Sequence, residues 1–300
     1  MEFHQLRDFV AVAATGNFSQ AAHRCRVAQP SLSKAVQRLE AEMDTKLFVR
    51  SKRGTVLTAS GEILYRHALK IINEVEQAKQ EMAERNGLGR GTVRVGVLPT
   101  ISPYFVPRVL AQFAQTYPAL EVVVVEDRAV ALLHRIDVSE LDLALLSPPI
   151  PNNGFVQETL FTEELLLTVP SEHPLAIKEK VEFKDLEAER FILIKEVHGP
   201  GDQISKFCEQ SDLHLQFVLE NSQIETVQSL VMAGLGISLV PEMARISGRI
   251  PLVYRSLENP KPTRSVSVVW RKGHEQSRAT KEFVNHLRQT SKAFLETLKK

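Results

Sequence analysis

The chain has 300 residues, 43% of them hydrophobic and 24% charged, which suits about two globular domains, each large enough to bury a core. The net charge of +1 is unevenly spread: residues 1–60 hold 9 basic and 5 acidic side chains, and the other 240 hold 28 and 31. A basic first fifth fits a nucleic-acid-binding head. Two cysteines, Cys25 and Cys208, allow neither a disulfide framework nor a CxxC zinc site. With acids at Glu2 and Asp8 and no apolar run of membrane length, the chain reads as cytoplasmic, without a secretory signal or a membrane segment.

Leu6, Phe9, Val10 and Ala13 recur at helical spacing, so a first amphipathic helix is expected over 2–14, ending at Gly16. A very short second helix follows, opened by Asn17 or Phe18-Ser19, with Ser19 a good cap. A turn at 26–28 leads into a third helix from Gln29-Pro30-Ser31 to about Met43. Pro30 suits a first helical turn, where its missing N–H costs nothing. Leu32, Val36 and Leu39 face inward, leaving Ser31, Ser33, Lys34, Gln37 and Arg38 on the outer surface.

Two short helices, a tight turn and a third helix with a polar N-terminal half meet the needs of a helix-turn-helix. In that arrangement Gln29, Ser33 and Lys34 read base edges, Ser19 and Ser31 meet phosphate oxygens at helix N-termini, and Pro30 and Arg38 complete the DNA-facing set. Residues 46–58 read as a hairpin wing with a basic tip, whose Arg50, Lys52 and Arg53 neutralise phosphates. Pattern alone also allows a small helical protein-interaction domain with a solvated basic loop.

Five runs carry a specific resemblance: 18–22 (FSQAA), 29–33 (QPSLS), 39–40 (LE), 47–50 (LFVR) and 57–61 (LTASG). Together they resemble the N-terminal module of LysR-type transcription regulators.

Thr58 can cap a long helix from Ala59 to Asn86-Gly87. Leu64, Ala68, Ile71, Val75, Ala78 and Met82 step along it by four and three, an a/d seam of almost three heptads. On an isolated linker helix this predicts a dimer, with docking on the C-terminal domain as the alternative. The resemblance implies antiparallel pairing of linker helices and a homodimer assembling to a homotetramer.

From Thr92 short apolar runs alternate with helical stretches. Strands are expected at 93–97, 120–125 and 141–146 with helices around 103–116 and 128–138. A second set of strands is expected at 164–169, 191–194, 215–219 and 236–240, a return strand at 265–270 and a last helix at 275–298. The fold class is therefore α/β overall, in three parts. Residues 1–58 form a winged helix-turn-helix, 59–88 a linker and dimerisation helix, and 89–300 an effector domain. The last divides into lobe I (92–163 and 266–300) and lobe II (164–265), which cross near 161–164 and 262–266 around a cleft.

Runs 96–104 (GVLPTISPY), 173–175 (HPL) and 233–241 (AGLGISLVP) extend the resemblance to the LysR effector domain, similar in fold to periplasmic binding proteins. It implies that Thr100, Ser102 and Ser147 line the cleft from lobe I and that His198, Gly199, Asp202 and Gln203 line it from lobe II. The implied ligand is a small effector, an anion in keeping with hydroxyl and N–H donors. Helix capping before Pro103 is a compatible role for Thr100 and Ser102. Met232 and Met243 read as core or gap-filling residues.

Within the family the C-terminal domain looks most like the peroxide-sensing OxyR branch, through Leu98-Pro99-Thr100, Pro103-Tyr104, His198, Asp202-Gln203 and Phe207-Cys208. That branch senses with a peroxidatic thiol directly after the His and a resolving thiol nine residues on. Here Gly199 takes the first place and Cys208 the second, so no sulfenic acid forms there to condense with Cys208. The expectation is therefore a non-covalent effector, with a redox response through Cys208 alone as the alternative and a buried, inert Cys208 as the simplest reading. Cys25 reads as a packing residue. The chain shows no GxSxG, no GxxxxGK[ST] and no GxGxxG after a strand, so it is expected not to be an enzyme and to need no cofactor or metal. Expected partners are double-stranded promoter DNA, a second copy, the effector and RNA polymerase.

Overall fold

The computed structural model describes residues 1–51, 54–85, 91–151, 154–194, 216–221, 223–246, 251–259 and 261–298. They form two compact units, one of residues 1–88 and 138–140 and one of residues 89–137 and 141–300.

In the first unit α1 (Phe3–Thr15), α2 (Phe18–Cys25) and α3 (Gln29–Glu42) precede a hairpin of β1 (Phe48–Ser51) and β2 (Gly54–Leu57), then the 27-residue α4 (Ala59–Arg85). A capping box between Glu2 and Gln5 opens α1, and Gly16 closes it at φ +61°, a conformation open to glycine at little cost. Asn17, not Ser19, caps α2: its Oδ1 accepts from the Ser19 and Gln20 amides at 2.8 and 3.1 Å. Thr58 caps α4 as expected, its Oγ1 accepting from the Gly61 amide at 2.9 Å.

Leu6, Phe9, Val12, Leu32, Val36, Leu39, Leu47 and Phe48 make the core of this unit. Phe48 meets Phe9 and Phe18 with ring centroids 5.2 and 5.8 Å away. Each such fully buried side chain stabilises by about 1.5–3 kcal/mol. Glu40 is buried beside them. Its carboxylate accepts from Lys46 Nζ at 2.8 Å and from the Leu47 and Phe48 amides at 2.9 and 3.4 Å, joining α3 to the start of the wing. Burial raises its pKa, but these three donors outweigh that and hold it below the ordinary value.

The second unit contains β3 (Gly91–Val97), α5 (Ser102–Thr116), β4 (Leu120–Glu126), α6 (Ala129–Asp137) and β5 (Leu143–Leu146). Next come the 15-residue β6 (Phe155–Val169), β7 (Val181–Glu182), β8 (Arg190–Ile194), β9 (Gln216–Asn221) and α7 (Ile224–Met232). The chain then makes β10 (Ser238–Pro241), α8 (Met243–Ile246), β11 (Val253–Arg255), β12 (Leu257–Glu258), β13 (Thr263–Arg271) and α9 (Arg278–Leu298). The main sheet runs β10-β6-β13-β5-β3-β4, with β11 also on β6. Strand β3 is parallel to β4 and β5, while β13 is antiparallel to β5 and β6.

Strand β6 is longer than the run 164–169 expected from its leucines. Its first part pairs with β13, and its last residues pair with β10 and β11. The two lobes are thus joined by one continuous antiparallel pair. In lobe I, Phe105, Phe161 and Phe294 meet with centroids 5.2 to 5.5 Å apart. In lobe II, β8 is buried on both faces. Phe191 and Leu193 join a cluster with Leu165, Leu167 and Leu239, whereas Ile192 and Ile194 join Val227, Val231 and Val240. Such two-sided burial is why β8 reads as a continuous apolar run. Of the two methionines, Met243 is buried as expected, but Met232 is 51% exposed on α7 and fills no core gap.

Candidate nucleic-acid interface and effector cleft

Helix α3 begins at Gln29 with Pro30 in its first turn. Leu32, Val36 and Leu39 hold one face in the core, so Gln29, Pro30, Ser31, Lys34, Gln37 and Arg38 are left exposed and Ser33 half-buried. Ser19, in the first turn of α2, is exposed as well. Arg24 and Arg26, also exposed, add cationic groups at the end of α2. In the wing Arg50 sits on β1 opposite Thr55; its side chain, with Lys52 and Arg53, lies outside the described residues.

The expected seam on α4 divides. Ala68 is fully buried and Leu64 partly buried in the core of the winged helix, so these two are taken up by their own unit. Val75 is half-buried. Ile63, Ile71 and Met82 are 54%, 39% and 69% exposed, and Ala78 is exposed too. The free apolar stripe therefore keeps the later seam positions, Ile71, Val75, Ala78 and Met82, and at its N-terminal end Ile63 stands where Leu64 was expected.

In the second unit β3 and β5 are parallel neighbours whose onward connections lead to opposite sides of the sheet order, a switch point of the kind at which open α/β sheets bind ligands beyond the strands' C-terminal ends. Thr100 and Ser147 lie there, and Ser102 starts α5 beside them. All three are buried, at 1%, 0% and 7% exposure, and each hydroxyl has a partner. Ser147 Oγ donates to the Ser265 carbonyl at 2.9 Å. Ser102 Oγ donates to Glu126 Oε1 at 2.6 Å. Thr100 Oγ1 accepts from Arg264 Nη1 at 3.0 Å. Neither Thr100 nor Ser102 caps α5, whose N-cap is Ile101 without a side-chain bond. His198, Gly199, Asp202, Gln203 and Cys208 lie outside the described residues.

Sequence reasoning missed what Thr100 rests on. Arg264 is fully buried, and its Nε pairs with Glu163 Oε1 at 2.8 Å, both side chains being at 0% exposure. Arg264 Nη2 donates to the Thr100 carbonyl at 3.1 Å and lies 3.4 Å from Met243 Sδ. The other Glu163 oxygen accepts from the Met243 amide at 2.7 Å. Burial pushes the Glu163 carboxyl up, and Arg264 and the Met243 amide oppose it. Further out, Tyr104 OH donates to Glu225 Oε1 at 2.9 Å, from α5 in lobe I to α7 in lobe II. Burial first, then Glu225, pushes that phenol up. A parity signal existed: Glu163 and Arg264 share the inward parity of Phe161, Leu165, Val266 and Val268.

Cys25 is half-buried against the core of the first unit. Burial and then Asp8 push its thiol up, so it holds little reactive thiolate. Among the described residues there is no metal-ligating cluster and no helix long and apolar enough to cross a membrane.

A three-helix unit with an exposed polar helix, joined to two α/β lobes around a crevice, defines a ligand-responsive DNA-binding regulator. Residues 3–62 match the bacterial regulatory helix-turn-helix protein family of lysR type, and residues 86–292 match the LysR substrate binding domain. The chain belongs to the LysR family: it is a transcription regulator that binds DNA and carries an effector-binding domain. It is 30% identical to the DNA-binding transcriptional dual regulator OxyR of Escherichia coli K12 over 275 residues, 91% of this chain and 90% of that one. A full-length OxyR from Pseudomonas aeruginosa, carrying a cysteine-to-aspartate substitution, superposes with a TM-score of 0.78 at 29% identity, covering 96% and 98% of the two chains. The hydrogen peroxide-bound OxyR of Corynebacterium glutamicum, a cysteine-to-serine mutant, gives 0.65 at 29% identity, covering 99% and 94%.

Proposed function

We propose that this regulator responds to a small effector held non-covalently in the crevice, rather than to oxidation of a cysteine pair. The observation that carries this reading is Gly199, which follows His198 where the OxyR pattern has its peroxidatic thiol. With the Cys25 thiol pushed up by burial, Cys208 is left as the lone redox candidate. The effector contacts are Thr100, Ser102 and Ser147 from lobe I and His198, Gly199, Asp202 and Gln203 from lobe II. Because Arg264 is committed to Glu163, an anionic effector would be held by hydroxyls and main-chain N–H groups rather than by a free cation.

In the same reading promoter DNA is met by Ser19, Gln29, Pro30, Ser31, Ser33, Lys34 and Arg38, with Arg50 and Arg53 on backbone phosphates. The heads pair through α4 along Ile63, Ile71, Val75 and Met82, in a dimer that assembles to a tetramer in the cytoplasm. Effector binding alters how the paired heads hold DNA and thereby polymerase recruitment. The protein acts by binding and catalyses no reaction.

The relatives' names favour the second reading, a redox response through Cys208 alone. A thermal-shift screen of the full chain and of Cys208→Ser, with small anions beside a hydrogen peroxide series, separates the two. A saturable rise with one anion, equal in both proteins, supports the non-covalent effector. A change caused only by peroxide and lost in Cys208→Ser refutes it.

A further inference from the structure

Charges of 0% exposure are costly to bury, and a pair of them on adjacent strands calls for a role. Arg264 and Glu163 face each other in register on β13 and β6, the strands that join the lobes. Their outer bonds run in opposite directions. Arg264 reaches into lobe I, where Nη1 and Nη2 hold both the hydroxyl and the carbonyl of Thr100, in the turn between β3 and α5. Glu163 reaches into lobe II, where Oε2 holds the Met243 amide at the start of α8. Met243 closes the loop, since its sulfur lies against Arg264 and its side chain packs in the lobe I core with Ile101, Phe105 and Phe294. A second strap lies beside this one: Arg245 Nη2 donates to the Leu298 carbonyl at the end of α9 at 2.9 Å.

We propose that Glu163 and Arg264 form a positioning pair that clasps the Thr100 turn of lobe I to the start of α8 in lobe II. A displacement of Thr100 is then felt at Met243 through two charged side chains, without the lobes having to swing as rigid bodies. The pair serves as a coupling element because each charge compensates the other at a depth that water does not reach. Moving the guanidinium off Thr100 leaves a buried N–H group unpaired, and moving the carboxylate exposes the Met243 N–H to the same penalty. The functional meaning rests on the effector reading of the crevice, but the clasp itself is testable without any effector.

The test is amide-resolved hydrogen exchange on the full chain, comparing wild type with Thr100→Val, Glu163→Gln and the double variant. Thr100→Val keeps the side-chain shape and leaves the ion pair formed, so it perturbs only the lobe I end. The clasp predicts that this variant speeds exchange of the Met243 amide in lobe II by roughly tenfold, as loss of one charge-assisted hydrogen bond implies. Val95 and Leu193, deep in the two lobes, should keep their wild-type rates. Adding Thr100→Val to Glu163→Gln should then change Met243 little further, because the link is already cut. A Met243 rate unmoved by Thr100→Val overturns the proposal. So does equal acceleration at Val95 and Leu193, which marks general loosening. Should Glu163→Gln fail to fold, Thr100→Val with its Met243 readout decides alone. Neither result depends on the anion screen, so the clasp and the effector reading stand or fall separately.

Discussion

Removing the Glu40 carboxylate should unseat the wing from the recognition helix. Glu40→Ala strips an acceptor from the Leu47 and Phe48 amides and from Lys46 Nζ. Leu47 and Phe48 are buried, at 1% and 8% exposure, so water cannot easily take over. One good bond at 2.9 Å and a weaker one at 3.4 Å put the loss at about 2–4 kcal/mol, from the 1–3 kcal/mol that each unpaired buried group costs. Lys46 is 79% exposed, so Lys46→Ala should cost less than about 1 kcal/mol. The single tryptophan, Trp270, lies in the other unit. Its fluorescence should be unmoved while hydrogen exchange over 32–48 rises. The pH dependence carries a sign. A carboxyl held below its ordinary 4.5 in the fold gives stability that is present above that value and lost as pH falls through the folded one. Glu40→Gln should flatten this acid loss. If Lys46→Ala proves as damaging as Glu40→Ala, or if Glu40→Gln keeps the full slope below 4.5, the amide-acceptor account is refuted.

Other outcomes follow from the same geometry. A Cβ on Gly61 would stand 2.2 Å from the Leu47 carbonyl oxygen, so Gly61→Ala should lower the stability of the first unit by about 2 kcal/mol or more in thermal unfolding followed by DNA-binding activity. Lys34→Ala should weaken operator binding by about 1–3 kcal/mol, whereas Arg53→Ala should lower the salt slope of all DNA binding by about 1; equal footprints and slopes would remove both roles. Ile71→Asp, on the exposed stripe of α4, should shift sedimentation toward smaller species. Ala68→Asp, at a buried site, should instead unfold the winged helix.

The parts legible in the sequence were those fixed by local rules. Apolar spacing set α1 and α3, Gly16 and Thr58 marked ends, and the apolar runs of β3, β4 and β8 stand where alternation and length put them. The parts that escaped depend on what a side chain meets after folding. Leu64 and Ala68 carry seam spacing, yet α1 lies close enough to take them into its own core, and spacing does not say which partner fills a face. Asn17 and Ser19 are both good caps; only the backbone turn selects Asn17. The short strands β7, β11 and β12 lack an apolar run of their own. Glu163 and Arg264 sit at the margins of the two expected strands, where a charge reads as the end of a strand. Their inward parity shows only once both strands are extended by about two or three residues.

That buried pair also bears on how the crevice can respond. The three hydroxyls assigned to it are already bonded, to Arg264, Glu126 and the Ser265 carbonyl. An effector that uses them must exchange these bonds, and a ligand shifts an equilibrium only by its differential affinity for the two states. Exchanging a neutral hydroxyl bond, as at Ser147, costs about 1 kcal/mol, but drawing Thr100 from a buried guanidinium costs about 1.5–3 kcal/mol. The second figure matches the roughly 1–3 kcal/mol typical of allosteric coupling. In the proposed effector reading, Thr100, the one of the three whose partner is the guanidinium of the Glu163–Arg264 pair, is where binding energy would convert most directly into a changed structure. Ser147→Ala should lower effector affinity and leave the maximal response intact, while Thr100→Val should reduce the response itself, as read by promoter output at saturating effector. Equal loss of response in both variants would place the switch elsewhere in the effector domain.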